Sequence, residues 1–219
     1  MKLPLCYLSG RGRFAFIFDK KNYQQNKCCY SRSFSFNPSH TMTTLTLNWQ
    51  PANLQNDIVK LLPLTAGDFE KLYAVASDPL IWEQHPAKDR YKKEVFQLYF
   101  DEAFACKTAF LIADNKGEII GCTRYYDYNA ASSSIAIGYT FLARQYWGGL
   151  HNQAAKSLLL GYAFNLVERV YFHIGTANIR SQLATTRLGA VKVNEVAFGN
   201  NGQSPMHYEY VITKEQWAK

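Results

Sequence analysis

A chain of 219 residues that is 47% hydrophobic and 15% aromatic can bury a core, and its length suits one domain or one domain with an appendage. That composition excludes a disordered chain, and no nearly uncharged apolar run approaches the roughly 18 residues of a membrane-spanning helix. The net charge of +7 is local: residues 1–41 hold seven of the 24 Lys and Arg against Asp19 alone, whereas residues 42–219 hold 17 bases and 16 acids. A body near neutrality lacks the electrostatic footprint of a nucleic-acid binder.

Residues 1–41 are basic, Ser-rich and interrupted early by Pro4, which leaves too short an apolar run for a signal peptide. They read as a disordered extension or a mis-assigned start ahead of Met42, with the folded domain over 42–219. Three of the five cysteines (Cys6, Cys28, Cys29) lie in that segment, and no pair has metal or redox spacing. The expectation is a reduced, cytoplasmic setting with no metal and no membrane association.

From Asp57 onward the pattern becomes regular. Ile58–Leu62 is a short β run, and Thr65-Ala-Gly-Asp68 has the spacing of a capping box ahead of a helix whose Phe69, Leu72, Tyr73 and Ala76 share a face. Pro79 opens a helical turn, and a second helix is expected over Tyr91–Ala105 with Val95, Leu98, Tyr99 and Ala103 as its stripe. The period then falls from 3.6 to 2: Ala109–Ala113, a turn at Asp114–Gly117, and Glu118–Tyr126 form a hairpin, followed by a strand over Ser132–Phe141. Leu150–Leu166 is the longest helical pattern, and Glu168–Gly175 is a strand. Asn178–Leu188 is a helix stopped by Gly189, and Ala190–Phe198 with His207–Thr213 closes the chain as a hairpin across a Gly and Asn loop. The order predicts a single α/β domain: a mixed, mostly antiparallel sheet of about six to seven strands flanked by helices.

The informative junction is Phe141-Leu-Ala-Arg-Gln-Tyr-Trp-Gly-Gly-Leu-His-Asn152, a strand that passes through glycines into a long helix. Main-chain N–H groups at such a turn are unpaired and stand at the positive end of the helix dipole, a site for phosphate. Two glycines alone also suit an ordinary tight turn, since no Walker lysine or dinucleotide fingerprint accompanies them. Asn178-Ile-Arg-Ser181 opens the next helix directly after the next strand, so both helix starts are expected at the same end of the sheet, where ligands collect.

These segments resemble the GNAT N-acetyltransferase superfamily, in the branch of ribosomal-protein and amino-group acetyltransferases. The matching elements are Ile137-Gly-Tyr-Thr-Phe141, Tyr146-Trp-Gly-Gly149 with Asn152, Asn178 with Ser181, and Arg187-Leu-Gly-Ala190. The likeness spans about Ile58–Thr213 and is dense from Ile135 to Val191. It implies acetyl-CoA as co-substrate, with Phe141, Leu142, Trp147, Gly148, Gly149, Leu150, His151, Asn152 and Asn178 around it. One departure is Leu150, where the family commonly has a second small residue.

The same resemblance implies direct acyl transfer to a primary amine, on a protein N-terminus, an amino acid or a small amine. Ser181 is then placed near the sulfur, Asn178 at the pantetheine arm, Glu83 as a candidate base, and Trp82, His85 and Tyr126 along the acceptor wall. Asn178 is equally a good N-cap, Ser181 a first-turn hydroxyl, and Glu83 and His85 ordinary surface residues. Cys106 and Cys122 have no His near them in sequence, and His173 among apolar neighbours reads as a core or edge histidine. The rival function is a non-catalytic acyl-CoA-binding module, and a weaker one is a nucleic-acid binder using residues 1–41. A monomer or a homodimer is expected.

Overall fold

The computed structural model describes residues 47–197 and 205–219, so the extension over 1–41 and the Gly and Asn loop before His207 lie outside the described residues. Eight strands among the described residues form one sheet: β1 (Leu54–Gln55), β2 (Val59–Pro63), β3 (Ala109–Asp114), β4 (Ile119–Asn129), β5 (Ser134–Leu142), β6 (Arg169–Gly175), β7 (Val191–Ala197) and β8 (Met206–Thr213). Their spatial order is β1-β2-β3-β4-β5-β6-β8-β7. Every pairing is antiparallel except β5 with β6. The expected mixed, mostly antiparallel sheet is therefore present, with one strand more than the pattern predicts. The addition is β1, whose two residues are too few to show a period.

Helices α1 (Phe69–Ala76), α2 (Lys93–Ala105), α3 (His151–Ala163), α4 (Ile179–Thr186) and α5 (Lys214–Trp217) complete the domain. The Asp68 carboxylate accepts from the Thr65 N–H at 2.9 Å and from its hydroxyl at 2.6 Å, which fixes the entry to α1 as the spacing predicts. On α2 the buried face is Phe96, Tyr99, Phe100 and Ala103, while Leu98, expected inside, is exposed. Two phenylalanines four residues apart bury more apolar area than Val95 and Leu98, so the helix rotates to their side.

The sheet separates two cores. On one face α3 packs Ala155, Leu159, Leu160 and Ala163 with Phe110, Ile112, Tyr125, Ile137, Phe172 and Ile212. On the other, α1 and α2 pack Leu72, Phe96, Tyr99 and Phe100 with Leu111, Cys122 and Phe141. Neighbouring positions such as Phe110 and Leu111, or Phe141 and Leu142, go to opposite cores, as the period of two requires. A buried hydrogen bond of 2.6 Å from the Tyr125 hydroxyl to the Leu159 carbonyl ties β4 to α3.

Close contact between β4 and β5 depends on Gly121. A Cβ there would stand 2.0 Å from the Phe141 carbonyl oxygen, a backbone atom that can move only by displacing β5. Gly121→Ala is expected to destabilise the fold by about 1–3 kcal/mol, the usual cost of overpacking, seen in urea unfolding as a lower midpoint at unchanged m-value.

Candidate active site

The cleft begins where β5 and β6 part. Their parallel ladder pairs Ser134, Ile135 and Ala136 with Arg169, Val170 and Tyr171 and continues no further. Beyond it β5 carries a bulge: Gly138 is opposite Arg124 and Phe141 opposite Cys122, so two residues, Tyr139 and Thr140, face one. Tyr139 takes φ 53°, a left-handed conformation unusual for a large side chain inside a strand. A donated bond of 2.7 Å from the Tyr99 hydroxyl holds its carbonyl. The gap opens into a cleft of about 220 Å³ lined by both strands, the first turns of α3 and α4, and the Ile81–Pro86 segment.

The glycine turn ahead of α3 meets this cleft. Gly148 has φ 74° with open space around its α-carbon, so the turn uses the one residue type that adopts this geometry without strain. Among the described residues, the main-chain N–H groups of Gly148 to Gln153 make no hydrogen bond; the first bond into the helix runs from Ala154 N–H to the Leu150 carbonyl. Leu150, at the position where a small residue is expected, is exposed and takes an ordinary αR conformation, so its side chain does not fill the turn. Opposite, the Asn178 side chain caps α4 by accepting from Ser181 N–H at 3.1 Å. The Arg180 guanidinium lies 3.6 Å over the Trp147 ring and joins the two helix starts across the cleft.

Of the residues singled out in the sequence, Phe141, Leu142, Trp147, Gly148, Asn152, Asn178, Ser181, Trp82 and His85 line one cleft. Gly149, Leu150 and His151 are not part of the lining, nor is Tyr126, which is buried, nor Glu83, which is exposed. The His85 Nδ1 accepts the Ala87 N–H at 2.9 Å, and burial, with Arg90 adding to it, lowers its pKa to about 3. This imidazole is neutral throughout the working range, with its lone-pair nitrogen already engaged. The Cys122 thiol is buried and pushed up to about 11 by desolvation, the state of an inert core cysteine.

Several polar residues of the site were not picked out in the sequence. Arg124 is fully buried, with its guanidinium 3.4 Å over the Tyr139 ring, Nη2 3.7 Å from Glu102, and Nε and Nη1 without a hydrogen bond. Arg90 lies 4.8 Å over Tyr99 and 5.2 Å over Trp82. His173, expected as a core or edge residue, lines the cleft and bonds Tyr126 and Glu209. Lys156 projects from α3 into the gap, where its Nζ donates to the Thr140 hydroxyl at 2.6 Å. A signal existed for Arg124, a charged side chain on the face of β4 that Cys122 turns to the core.

Lys156 is 5% exposed, and desolvation lowers its pKa to about 7. Between about pH 7 and the ordinary lysine range the unfolded chain binds a proton that the native chain does not, so stability rises with pH through that window. Below it the full cost of burying the ammonium applies, about 1.4 kcal/mol for every tenfold loss of proton affinity. Lys156→Met is therefore expected to raise Tm at pH 7, with the gain shrinking steadily toward pH 10; equal gains at both ends, in melts across that range, would contradict the assignment.

The family model described as an acetyltransferase (GNAT) domain matches residues 59–191. No curated protein sequence matches the chain. Among solved structures, the GNAT-family acetyltransferase from Bacillus anthracis superposes with a TM-score of 0.62 at 15% identity, over 74% of this chain and 98% of that one. Mycobacterium smegmatis RimJ in complex with CoA-disulfide gives 0.58 at 18% identity over 74% and 84%. The spermidine N-acetyltransferase from Vibrio cholerae, in complex with CoA and spermine, gives 0.59 at 16% over 75% and 100%. Identities this low speak for the fold, and the family model, which spans more than half of the chain, for the lineage: this chain belongs to the GNAT acetyltransferase family.

Proposed function

We propose that this protein transfers the acetyl group of acetyl-CoA directly to a primary amine. The observation that carries the reading is the coincidence, on one cleft, of the glycine turn into α3, whose N–H groups are unbonded and whose Gly148 and Asn152 line the cleft, with the parted strands β5 and β6. An extended chain ending in phosphates fits such a place, since the amides and the helix dipole favour the anion and the gap accepts the arm. RimJ and the spermidine acetyltransferase, both in complexes with CoA or its disulfide, share this fold and support the choice of cofactor.

Bound acetyl-CoA would supply an activated acyl carbon and a thiolate leaving group. The chain's own contribution is to hold and polarise. The unbonded amides of the glycine turn at Gly148 and Gly149 would bind the pyrophosphate. Asn178, whose Oδ1 is engaged in capping α4, would donate from Nδ2 to the arm, and Ser181 would hydrogen-bond the sulfur. The main chain at the β5 bulge, near Phe141, would donate to the thioester oxygen as negative charge grows there. Acceptors would enter from the α1 and α2 face, past Trp82, His85 and Tyr139, and free amino acids, peptide N-termini and small amines are the classes to screen.

Acetyl-CoA is expected to raise Tm, and thiol should be released only when an amine is present. Asn178→Ala and Ser181→Ala should each lower that rate by about tenfold, the value of ~1.4 kcal/mol in the transition state. Gly148→Val forces a branched side chain to φ 74°, costing roughly 1–2 kcal/mol, and should raise the half-saturating acetyl-CoA concentration about tenfold. Tight binding with no thiol release from any amine would make the chain a cofactor-binding module instead.

A further inference from the structure

The ladder between β5 and β6 ends at Ala136 and Tyr171, and the Lys156 side chain of α3 reaches the opening just beyond it. Nζ donates to the Thr140 hydroxyl on the β5 bulge at 2.6 Å and stands 5.6 Å from the centre of the Phe172 ring, the first residue of β6 past the ladder. Lys156, Thr140 and Phe172 all line the cleft. The lysine is buried, and among the described residues no carboxylate pairs with it. Thr140 Oγ1 is itself committed, 2.8 Å from the Thr123 hydroxyl and 3.3 Å from the Gly138 carbonyl. An ammonium is a donor in three directions, so its bond to Thr140 leaves N–H groups without a protein acceptor.

Burying such a group lowers stability unless an acceptor completes its surroundings. Its position says which ligand does so. A cofactor whose phosphates lie at the Gly148 turn lays its arm where β5 and β6 part, because the turn and the opening belong to one cleft. The arm of coenzyme A is an apolar chain interrupted by amides, whose carbonyl oxygens need donors when they leave water. We propose that Lys156 anchors this arm by donating from Nζ to one of its amide carbonyl oxygens inside the opening, with Thr140 as the residue that positions Nζ. The proposal rests on the acetyl-CoA reading above and adds a side-chain contact to the main-chain amides of the glycine turn.

The anchor links cofactor binding to a proton. Burial alone lowers the Lys156 pKa, to about 7; the other titratable or charged side chains of the lining, Tyr139, Tyr146, His85, His173, Arg180 and His207, leave it unmoved. On the α3 face of the sheet, Tyr125 of β4 is held un-ionised by burial and donates to the Leu159 carbonyl. A carbonyl oxygen accepting from Nζ favours the ammonium over the amine, so the lysine holds its proton more tightly in the complex. Below about pH 7 the free protein already carries that proton, and binding takes up none. Above it, binding draws the proton from solvent, and affinity falls as pH rises until the pKa of the complex is passed.

A lysine kept for its bond to Thr140 alone would leave a different signature. That bond exists without ligand, so binding would not change the protonation of Nζ. An anchoring lysine changes it, because the ammonium donates to the carbonyl about twice as strongly as the neutral amine does.

The test is titration calorimetry of reduced CoA, from about pH 6 to about pH 9, in pairs of buffers with different ionisation enthalpies, on the wild type and on Lys156→Met. At about pH 8, where the ligand's phosphates are ionised, the wild type is expected to take up roughly half a proton or more per CoA, and its Kd should rise about fivefold between pH 7 and pH 8. Lys156→Met should take up none above pH 7 and should bind CoA about tenfold more weakly at pH 7. Adenosine 3′,5′-bisphosphate has phosphates but no arm, so it should bind both proteins within about twofold, with no proton uptake at pH 8. CoA binding by the wild type without proton uptake at pH 8, or the same uptake in Lys156→Met, would overturn the anchor while leaving acetyl transfer standing. Equal weakening of the bisphosphate in Lys156→Met would make the lysine a support of the glycine turn and overturn the anchor as well. No binding of CoA or acetyl-CoA to the wild type would instead overturn the functional reading and the anchor with it. The wild-type proton count decides by itself if the variant does not fold.

Discussion

Everything at the site follows from a parallel pair of strands that cannot stay paired. β5 and β6 share a ladder of three residues, after which the bulge at Tyr139 and Thr140 turns β5 away and β6 continues alone with β8. Parallel pairing is the weaker of the two ladders, and a bulge raises local twist, so the sheet opens where holding it closed costs most. The opening exposes main chain in the middle of a domain, where such groups need partners.

The two faces of the opening have different chemistry. Toward α3, Lys156 and Thr140 provide polar groups between apolar walls such as Phe172, and the helix start faces the gap with unbonded amides. Toward α1 and α2, Trp82 and Tyr139 give an aromatic wall, with Tyr99, Arg90 and Arg124 packed against them. A cofactor with phosphates suits the first face, and an amine that must lose a proton suits the second. In the proposed reaction the two would meet through the sheet, where β5 and β6 part.

Buried charge is concentrated at this opening. Lys156 is sequestered beside a hydroxyl, and Arg124 stands 3.7 Å from the carboxylate of Glu102; groups of this kind lower stability unless their surroundings compensate. The hydrogen bond to Thr140 and stacking on Tyr139 provide part of that compensation. A fold selected for stability alone would place apolar side chains at both positions.

Much of this was legible in the linear pattern. The periods of two and 3.6 located seven strands and the four longer helices, because alternation and the helical stripe report which face is buried, and the Gly148–Asn152 turn and the Asn178 cap announced two helix starts at one end of the sheet. Those are local properties, written in neighbouring residues. The tertiary structure alone decided which polar residues share the cleft, since Thr140, Lys156, His173 and Asn178 meet through strand order, bulge and register rather than spacing. It also removed Glu83 from the wall and brought Lys156 into it, because whether a charged side chain faces solvent or a gap depends on what packs opposite it, and no window of sequence contains that neighbour.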